Sequence, residues 1–330
     1  MKRKVSVTKC ISFTLLVLFL FPNLCQSEWY KGNTHTHTIN SDGDSTPDAV
    51  VRWYKENHYN FLVITDHNFI TEVQGLNSIY AANDRFIVIP GCEISCSSQN
   101  KPVHIVAINI SEPVMNKNED TIVSTLQKNI DIINSTGALA QVCHPNFRWA
   151  FGVKELALVD HYHLLEIKNS HPLVNNEGGG GYPSTEKIWD SLLTEGKMVF
   201  GVACDDTHTL RASGPQQANP GRGWVCVRCD SLCTQEIVSA MARGEFYSST
   251  GVELNDITYD GKSLVIHIKQ GNPDSKYMVE FIGSEGKVLD TKSGIETAYQ
   301  IKGSEKYIRA RITDSNGLKA WSQPVFLSDK

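Results

Sequence analysis

The sequence predicts an α/β fold built on a parallel sheet or barrel and followed by a small all-β sandwich, on three observations. Between residues 29 and about 248, short runs rich in β-branched and aromatic residues alternate with amphipathic helical stretches, the pattern of βα units around a parallel sheet. Near Ser249-Thr250-Gly251 the helical period stops and only strand patterns follow. With 330 residues the chain has room for two domains at the usual ~100 to 200 residues each.

In chain order, residues 1–27 read as an export signal. Lys2, Arg3, Lys4 and Lys9 precede an apolar run over 11–21, and a polar exit over 22–27 carries the small side chains Cys25 and Ser27. Cleavage is expected after Ser27, which places the mature chain in the periplasm or outside the cell; bulky Leu24 argues against lipidation of Cys25. The apolar run is shorter than the ~20 residues of a membrane span, and the mature chain contains no candidate span.

Seven candidate strands follow, over 29–34, 61–65, 86–90, 103–108, 138–142, 164–168 and 199–203, each ending on polar residues. The predicted helices are 47–57, with Pro47 at the first helical position after Thr46, then 121–134, 185–193 before a stop at Gly196, and 234–242 before Gly244. Four consecutive glycines at 178–181 predict a mobile loop near the rim. Beyond 250, runs 254–259 and 263–268 flank Asp260-Gly261, and 310–313 and 318–321 flank Asn316-Gly317, two hairpin signals. Tyr299, Tyr307 and Trp321 lie in alternating patterns and read as core. The expected division is a signal peptide over 1–27, a barrel over 28–250 and a β-sandwich over 251–330.

Composition excludes some functions. With 31 basic and 36 acidic residues there is no basic excess to hold nucleic acid as a stable partner. Of nine cysteines, seven remain once Cys10 and Cys25 are removed, an odd number that cannot pair fully. Cys92, Cys143 and Cys204 sit in apolar runs and read as packing. Cys226, Cys229 and Cys233 lack a fourth ligand at zinc-ribbon spacing, and Val225-Cys226-Val227 reads as a strand.

The chemistry lies where His and acidic residues fall relative to the strands. His35 and His37 follow the first strand, and alternate residues of an extended chain point the same way, so both imidazoles can reach one ion. Asp42 comes next; the second strand runs into Asp66 and His67; Glu93, His104 and His144 belong to the third, fourth and fifth; the seventh runs into Asp205, Asp206 and His208. Groups at the carboxyl ends of parallel barrel strands converge on one face. Nine oxygen and nitrogen ligands from His35, His37, Asp42, His67, Glu93, His104, His144, Asp206 and His208 are too many for one ion. Imidazole and carboxylate without thiolate favour zinc, manganese or iron, and a bridging carboxylate such as Glu93 holds two ions close together.

The ordered set His35-Thr-His37, Ser41-Asp42-Gly43, Thr65-Asp66-His67, Gly91-Cys-Glu93, His104, His144 and Asp206-Thr-His208 resembles the polymerase-and-histidinol-phosphatase (PHP) domain family over about residues 29–250. The opening Trp29-Tyr-Lys-Gly-Asn-Thr-His-Thr-His37, the stretch Gly244-Glu-Phe-Tyr-Ser-Ser-Thr-Gly251 and the β region after it are similar to the exported CehA/McbA-type metallohydrolases within that family. The resemblance implies a distorted (β/α)7 barrel with two or three divalent ions. One would sit among His35, His37, Glu93 and Asp206, a second among Glu93, His104 and His144, and a third among Asp42, His67 and His208. The family often has His where this chain has Asp42.

The expected activity is metal-dependent hydrolysis of a small, phosphorylated substrate, with a metal-bridging water as nucleophile. Carboxyl or carbamate ester hydrolysis is the alternative that the narrower resemblance implies. A non-catalytic secreted binding protein is the third reading, disfavoured by the complete ligand set. Asp66 and Asp205 adjoin ligands and are candidates for orienting an imidazole or moving a proton. Glu166, Asn169 and His171 after the sixth strand, and Arg148 beside Trp149, are the candidate substrate contacts.

Overall fold

The computed structural model describes residues 27–82 and 85–327, so the predicted signal sequence over 1–26 lies outside the described residues. No described helix is long and apolar enough to cross a membrane.

The amino-terminal α/β part runs β1 (Glu28–Asn33), α1 (Pro47–Glu56), β2 (Phe61–Ile64), α2 (Gln74–Tyr80), β3 (Ile87–Ser98), β4 (Lys101–Ile108), α3 (Ile122–Ser135), β5 (Leu139–Val142), α4 (Val153–Leu156), β6 (Leu164–Asn169), α5 (Thr185–Thr194), β7 (Phe200–Cys204), β8 (Trp224–Cys229), α6 (Thr234–Ala242) and β9 (Phe246–Ser249). The helices start as their residues dictate. Thr46 caps α1 by accepting from the Ala49 N–H with Pro47 behind it, Thr121 and Ser124 cap α3 reciprocally, and Ser184 accepts from Lys187 N–H at α5.

The result is a mixed α/β fold with a large, parallel-rich sheet. β1, β2 and β3 pair in parallel, as do β5, β6 and β7. The uniform βα repeat is interrupted at β4, which is antiparallel to both β3 and β5. The cause is local: Gln99 and Asn100 both take positive φ, +52° and +60°, so β3 turns straight back on itself through a two-residue hairpin instead of crossing over by a helix. β3 is accordingly longer than the predicted 86–90, and β4 carries its amino-terminal half at the rim where the other strands carry their carboxyl ends. β8 and β9 extend the sheet antiparallel beyond β1.

The sheet curls until its far edge returns. Ser248 Oγ on β9 accepts from Ala203 N–H and donates to the Gly201 carbonyl on β7, at 3.0 and 2.7 Å. Past the strand ends, Asp206 N–H donates to the His35 carbonyl and His37 N–H to that of Thr207. Alternate residues from the strands, among them Phe61, Val63, Ile89, Val106, Ile108, Val202 and Val225, fill the interior. The opposite faces pack on the helices through side chains such as Val50 and Tyr54 of α1 and Leu126 and Ile130 of α3. Strand β2, Phe-Leu-Val-Ile, is buried on both faces, which is why it reads as a continuous apolar run.

After β9 come only strands and one 3-10 turn: β10 (Glu253–Tyr259), β11 (Ser263–Lys269), β12 (Tyr277–Gly283), β13 (Lys287–Ser293), β14 (Glu296–Gln300), β15 (Tyr307–Asp314), β16 (Lys319–Ser322) and β17 (Val325–Phe326). Both predicted hairpins are present, with Gly261 and Gly317 at φ +83°. β16 pairs with β9, so the main sheet continues through β16, β15, β12 and β13, while β10, β11 and β14 form a separate three-stranded sheet. Leu254, Leu264, Ile266, Val279, Phe281, Tyr299 and Ile312 belong to one buried cluster together with Tyr54 and Leu62 of the amino-terminal part.

A buried charge network ties this region to α5. Arg309 on β15 is fully buried; its Nε and Nη2 donate to the two carboxylate oxygens of Asp190, each at 2.8 Å, and Nη2 also reaches Glu186 at 2.7 Å. Tyr307 OH donates to Asp190 at 2.9 Å, and the guanidinium lies over Trp189.

All seven described cysteines are free, and Cys233 alone among them is exposed. Cys226 and Cys229 are three apart on β8, so they face opposite sides and bury in different clusters, which excludes a shared zinc.

Candidate metal centre

The rim brings nine side chains together. His35 and His37 stand on the extension of β1, held by a parallel bridge from Thr36 to Thr207 past the end of β7. Glu93 is carried in beside His67 by continuation of the β2–β3 ladder, with Asn68 N–H donating to the Glu93 carbonyl at 2.9 Å. His104 sits on the reversed strand β4 opposite Ser95. His144 and Asp206, past β5 and β7, take left-handed φ of +22° and +52°, a backbone cost of the kind that collects at functional sites.

Two carboxylates flank a pair of imidazoles. His35 Nε2 and His37 Nε2 are 3.1 Å apart, and each lies 3.3 Å from Glu93 Oε2 and 3.3 Å from Asp206 Oδ1. His35, His37 and Asp206 form one group of metal-holding geometry, and Glu93 adjoins it through the two imidazoles. Glu93 Oε2 is buried and accepts no well-directed hydrogen bond, although His67 Nδ1 stands at 2.9 Å and His35 and His37 at 3.3 Å. A buried carboxylate oxygen crowded by nitrogens that do not donate to it fits a shared cation.

The other oxygen of Glu93 faces a second group. Oε1 is 2.9 Å from His104 Nδ1 and 3.2 Å from His144 Nε2. On the outer side, half-exposed Asp42 lies 3.3 Å from His208 Nε2 and 3.5 Å from His67 Nε2, and the four side chains His37, Asp42, His67 and His208 form one group of metal-holding geometry. Behind Asp42, Gly43 leaves no room for a side chain, since a Cβ there would meet the His37 backbone at 2.8 Å.

The charges fit cations as well as the distances do. Burial opposes ionisation of Glu93, Glu166 and Asp206, yet neighbouring imidazoles, His35 foremost, hold all three below the usual carboxylate range. Burial likewise opposes charge on the imidazoles, and the carboxylates outweigh it. His35 is raised well above its ordinary value by Asp206 and Glu93, His67 to about 10 by Asp42 and Glu93, His144 by Glu93 and His208 by Asp42. Without metal, the cluster therefore holds protons at neutral pH that a metal must displace. Calorimetry of zinc or manganese binding at pH 7 in buffers of different ionisation enthalpy should show roughly two or more protons released, and affinity should fall as pH is lowered. Binding without proton release would contradict this electrostatic picture.

A layer of partners sets the ligands. Glu166 Oε1 accepts from His35 Nδ1 at 2.7 Å and from Gln141 Nε2 at 2.9 Å, which leaves the His35 Nε2 lone pair facing the cluster. Its Oε2 takes His144 N–H and Asn169 Nδ2, at 2.8 and 2.9 Å. Glu166 and Asn169 are fully buried and cannot touch substrate, contrary to the expectation from sequence; Asn169 instead holds Asp206 Oδ2 at 3.0 Å. Glu166→Gln should weaken metal affinity about 10- to 100-fold with the fold intact, as read by metal titration against circular dichroism. An unchanged affinity would remove Glu166 from the ligand set's support.

The remaining candidates separate clearly. Asp66 is buried and accepts from Thr38 N, Thr38 Oγ1, Ser41 Oγ and Thr71 Oγ1, so it touches no imidazole and reaches His37 only through Ser41, whose Oγ is 3.3 Å from His37 Nδ1. Asp205 is occupied by the backbone N–H groups of Gly221, Arg222 and Gly223 and by Tyr54 OH, and anchors that loop rather than a ligand. Arg148 is exposed over Phe147 and lies outside the cavity lining. His171 does face the cavity, a space of about 200 Å³ lined also by Phe147 and Leu173. Gln141 and Ser95, the latter 2.5 Å from His67 Nδ1, carry no signal in the sequence because nothing in their spacing marks them. The glycine run 178–181 forms a tight turn closed by a bridge between Gly179 and Tyr182, with Tyr182 stacked on Trp149.

No protein-family model matches the chain. Among solved structures it is similar to a two-domain protein from Bacteroides vulgatus described as containing a predicted PHP-like metal-dependent phosphoesterase, with a TM-score of 0.50 at 14% identity over 90% of this chain and 95% of that one. The chain has a PHP-like fold. The superposition spans nearly all of both chains. Two curated relatives, the 5'-3' exoribonucleases Rnm of Escherichia coli and Salmonella typhimurium, match at 37% identity over 84 residues and 35% over 77. These matches cover 24% and 23% of this chain, and only 29% and 26% of the relatives' length.

Proposed function

We propose that the chain is an exported, metal-dependent phosphoesterase that cleaves a small organic phosphate ester. The observation that carries this reading is the division of Glu93, one oxygen facing His35, His37 and His67 and the other facing His104 and His144. A carboxylate so placed suits a pair of neighbouring cations. His35, His37, Glu93 and Asp206 would hold one, Glu93, His104 and His144 a second, and Asp42, His67 and His208 a third, with zinc, manganese or iron matching this thiolate-free donor set. Bound cations would offset the charge on the ester's oxygens and lower the pKa of water enough to supply hydroxide near neutral pH.

The protein's own groups orient and enclose. Glu166 fixes the tautomer of His35, Ser41 backed by Asp66 fixes that of His37, and Asn169 holds Asp206. Phe147 and Leu173 wall the cavity with apolar surface. His171 is kept neutral by burial, and its Nδ1 accepts the Leu173 N–H at 3.2 Å, so Nε2–H is left to donate to a substrate oxygen. Export rests on the composition of residues 1–27.

Carbonyl ester or carbamate hydrolysis is the second reading, favoured by one observation: the cavity lining contains no Lys or Arg to greet a phosphate. The same lack weighs against a long polyanion, although two relatives are named exoribonucleases. A panel of p-nitrophenyl phosphate, bis-p-nitrophenyl phosphate, a short RNA, p-nitrophenyl acetate and a nitrophenyl carbamate, run with manganese and with zinc, separates these. Phosphate release from the monoester is expected. Carbonyl cleavage without phosphate release would overturn the phosphoesterase reading.

A further inference from the structure

A second cavity, of about 450 Å³, opens between the end of β6 and the hairpin joining β15 to β16. It shares no lining residue with the metal cavity. Its walls include Lys168 and Ser170 from β6 and the residue after it, Arg222 from the loop before β8, Lys319 and Trp321 from β16, and Glu177.

The charges there are unbalanced. Arg222 donates its guanidinium only to the Gln217 and Gly214 carbonyls and to Asn219 Oδ1, so its charge meets no carboxylate. The Lys168 ammonium makes no hydrogen bond or ion pair among the described residues; burial pushes its pKa down, Glu177 opposes this and Lys319 adds to it. The carboxylate nearest to Lys319 is Glu177, at 4.0 Å and 79% exposed. Three cations thus face one solvated acid.

The polar atoms left over are donors. Trp321 is 4% exposed and its indole N–H has no partner; Ser170 Oγ is likewise buried and unpartnered. Buried donors without a protein acceptor are uncommon in folded proteins. Two ammonium groups lining a cavity that Ser170 and Trp321 also border suit a group that carries negative charge and accepts several hydrogen bonds. The volume falls in the range of small-molecule sites, about 300 to 1,000 Å³, which leaves room for an organic body beyond one oxyanion.

We propose that this cavity binds the phosphate or carboxylate group of a small organic anion, as a site separate from the metal cluster. Lys168 and Ser170 flank Asn169, which holds both Asp206 and Glu166, so an anion here bears on the segment that supports the metal ligands. The proposal does not depend on which ester is hydrolysed.

The test follows the Trp321 indole N–H in ¹H–¹⁵N spectra of the metal-loaded protein, its peak identified by its loss in Trp321→Phe. Inorganic phosphate, glycerol 2-phosphate and citrate are titrated separately, so the probe that binds tightest identifies phosphate or carboxylate as the recognised group. A saturable shift is expected. Lys168→Met should weaken binding about tenfold, equivalent to about 1.4 kcal/mol, and Glu177→Gln should tighten it. The second variant removes a competing acceptor, so tighter binding there cannot arise from damage to the fold. An indole peak unmoved at about 50 mM of every probe, beyond the millimolar range of weak binding, would overturn the proposal, as would equal affinity in Lys168→Met, Lys319→Met and the unaltered protein.

Discussion

Glu93→Gln should abolish hydrolysis, lowering kcat at least about 10³-fold, and should reduce bound metal, because the substitution removes the one charge shared by two ligand groups. The geometry makes this the most damaging single change at the rim. Oε2 stands 3.3 Å from His35 Nε2 and His37 Nε2, and Oε1 stands 2.9 Å from His104 and 3.2 Å from His144. A glutamine amide has the same shape, but its nitrogen cannot ligate and would point a donor at one imidazole group or the other. Metal content by plasma mass spectrometry, alongside kcat under metal saturation, checks the expectation. Full metal occupancy with unaltered turnover would show that Glu93 is a structural carboxylate only.

The largest expected effect on stability lies far from the rim, at Arg309. Arg309→Met strands Asp190 in a buried position with its bidentate partner gone, and breaking a buried pair in this way costs about 3 to 5 kcal/mol. For a chain this size that corresponds to a fall of roughly 5 to 8 °C in Tm, at about 1.6 °C per kcal/mol from an unfolding entropy of about 2.1 cal/mol/K per residue. Tyr307 donates to the same carboxylate and therefore cannot replace the lost charge. The double change Arg309→Met with Asp190→Leu should recover most of the loss, since replacing both members by apolar groups removes the desolvation cost too. Denaturant unfolding of the three variants measures this; a single variant as stable as the parent would mean that α5 and β15 are not held by this network.

The candidate site was far more legible than its support. The nine ligand candidates could be read because each follows, or lies on, a strand whose apolar run is plain, and parallel strands deliver such residues to one face. His104 was placed correctly at the rim for the wrong reason. It lies near the start of a reversed strand, and the Gln99-Asn100 turn that reverses it lacks the Asn-Gly or Asp-Gly signature by which hairpins are recognised. Glu166 was grouped with His171 by nearness in sequence, whereas β6 points it inward beneath His35, where Gln141 from the neighbouring strand β5 meets it. Asp205 next to Asp206 looked equivalent to it. Asp206 takes a left-handed φ of +52° just past β7, and one carboxylate enters the cluster while the other ties down the loop at Gly221–223. The Arg309 network was invisible because it joins α5 to β15 across more than a hundred residues, and a single strand arginine ordinarily reads as surface.

The most direct test of the multinuclear reading is anomalous diffraction from crystals of the purified protein, recorded at the zinc, manganese and iron edges. The expected result is a peak beside His35 Nε2, His37 Nε2 and Asp206 Oδ1 on the side of Glu93 Oε2, with a second peak beside Glu93 Oε1, His104 and His144. No anomalous density among these side chains in metal-saturated crystals, or a single ion bound without Glu93, would contradict it.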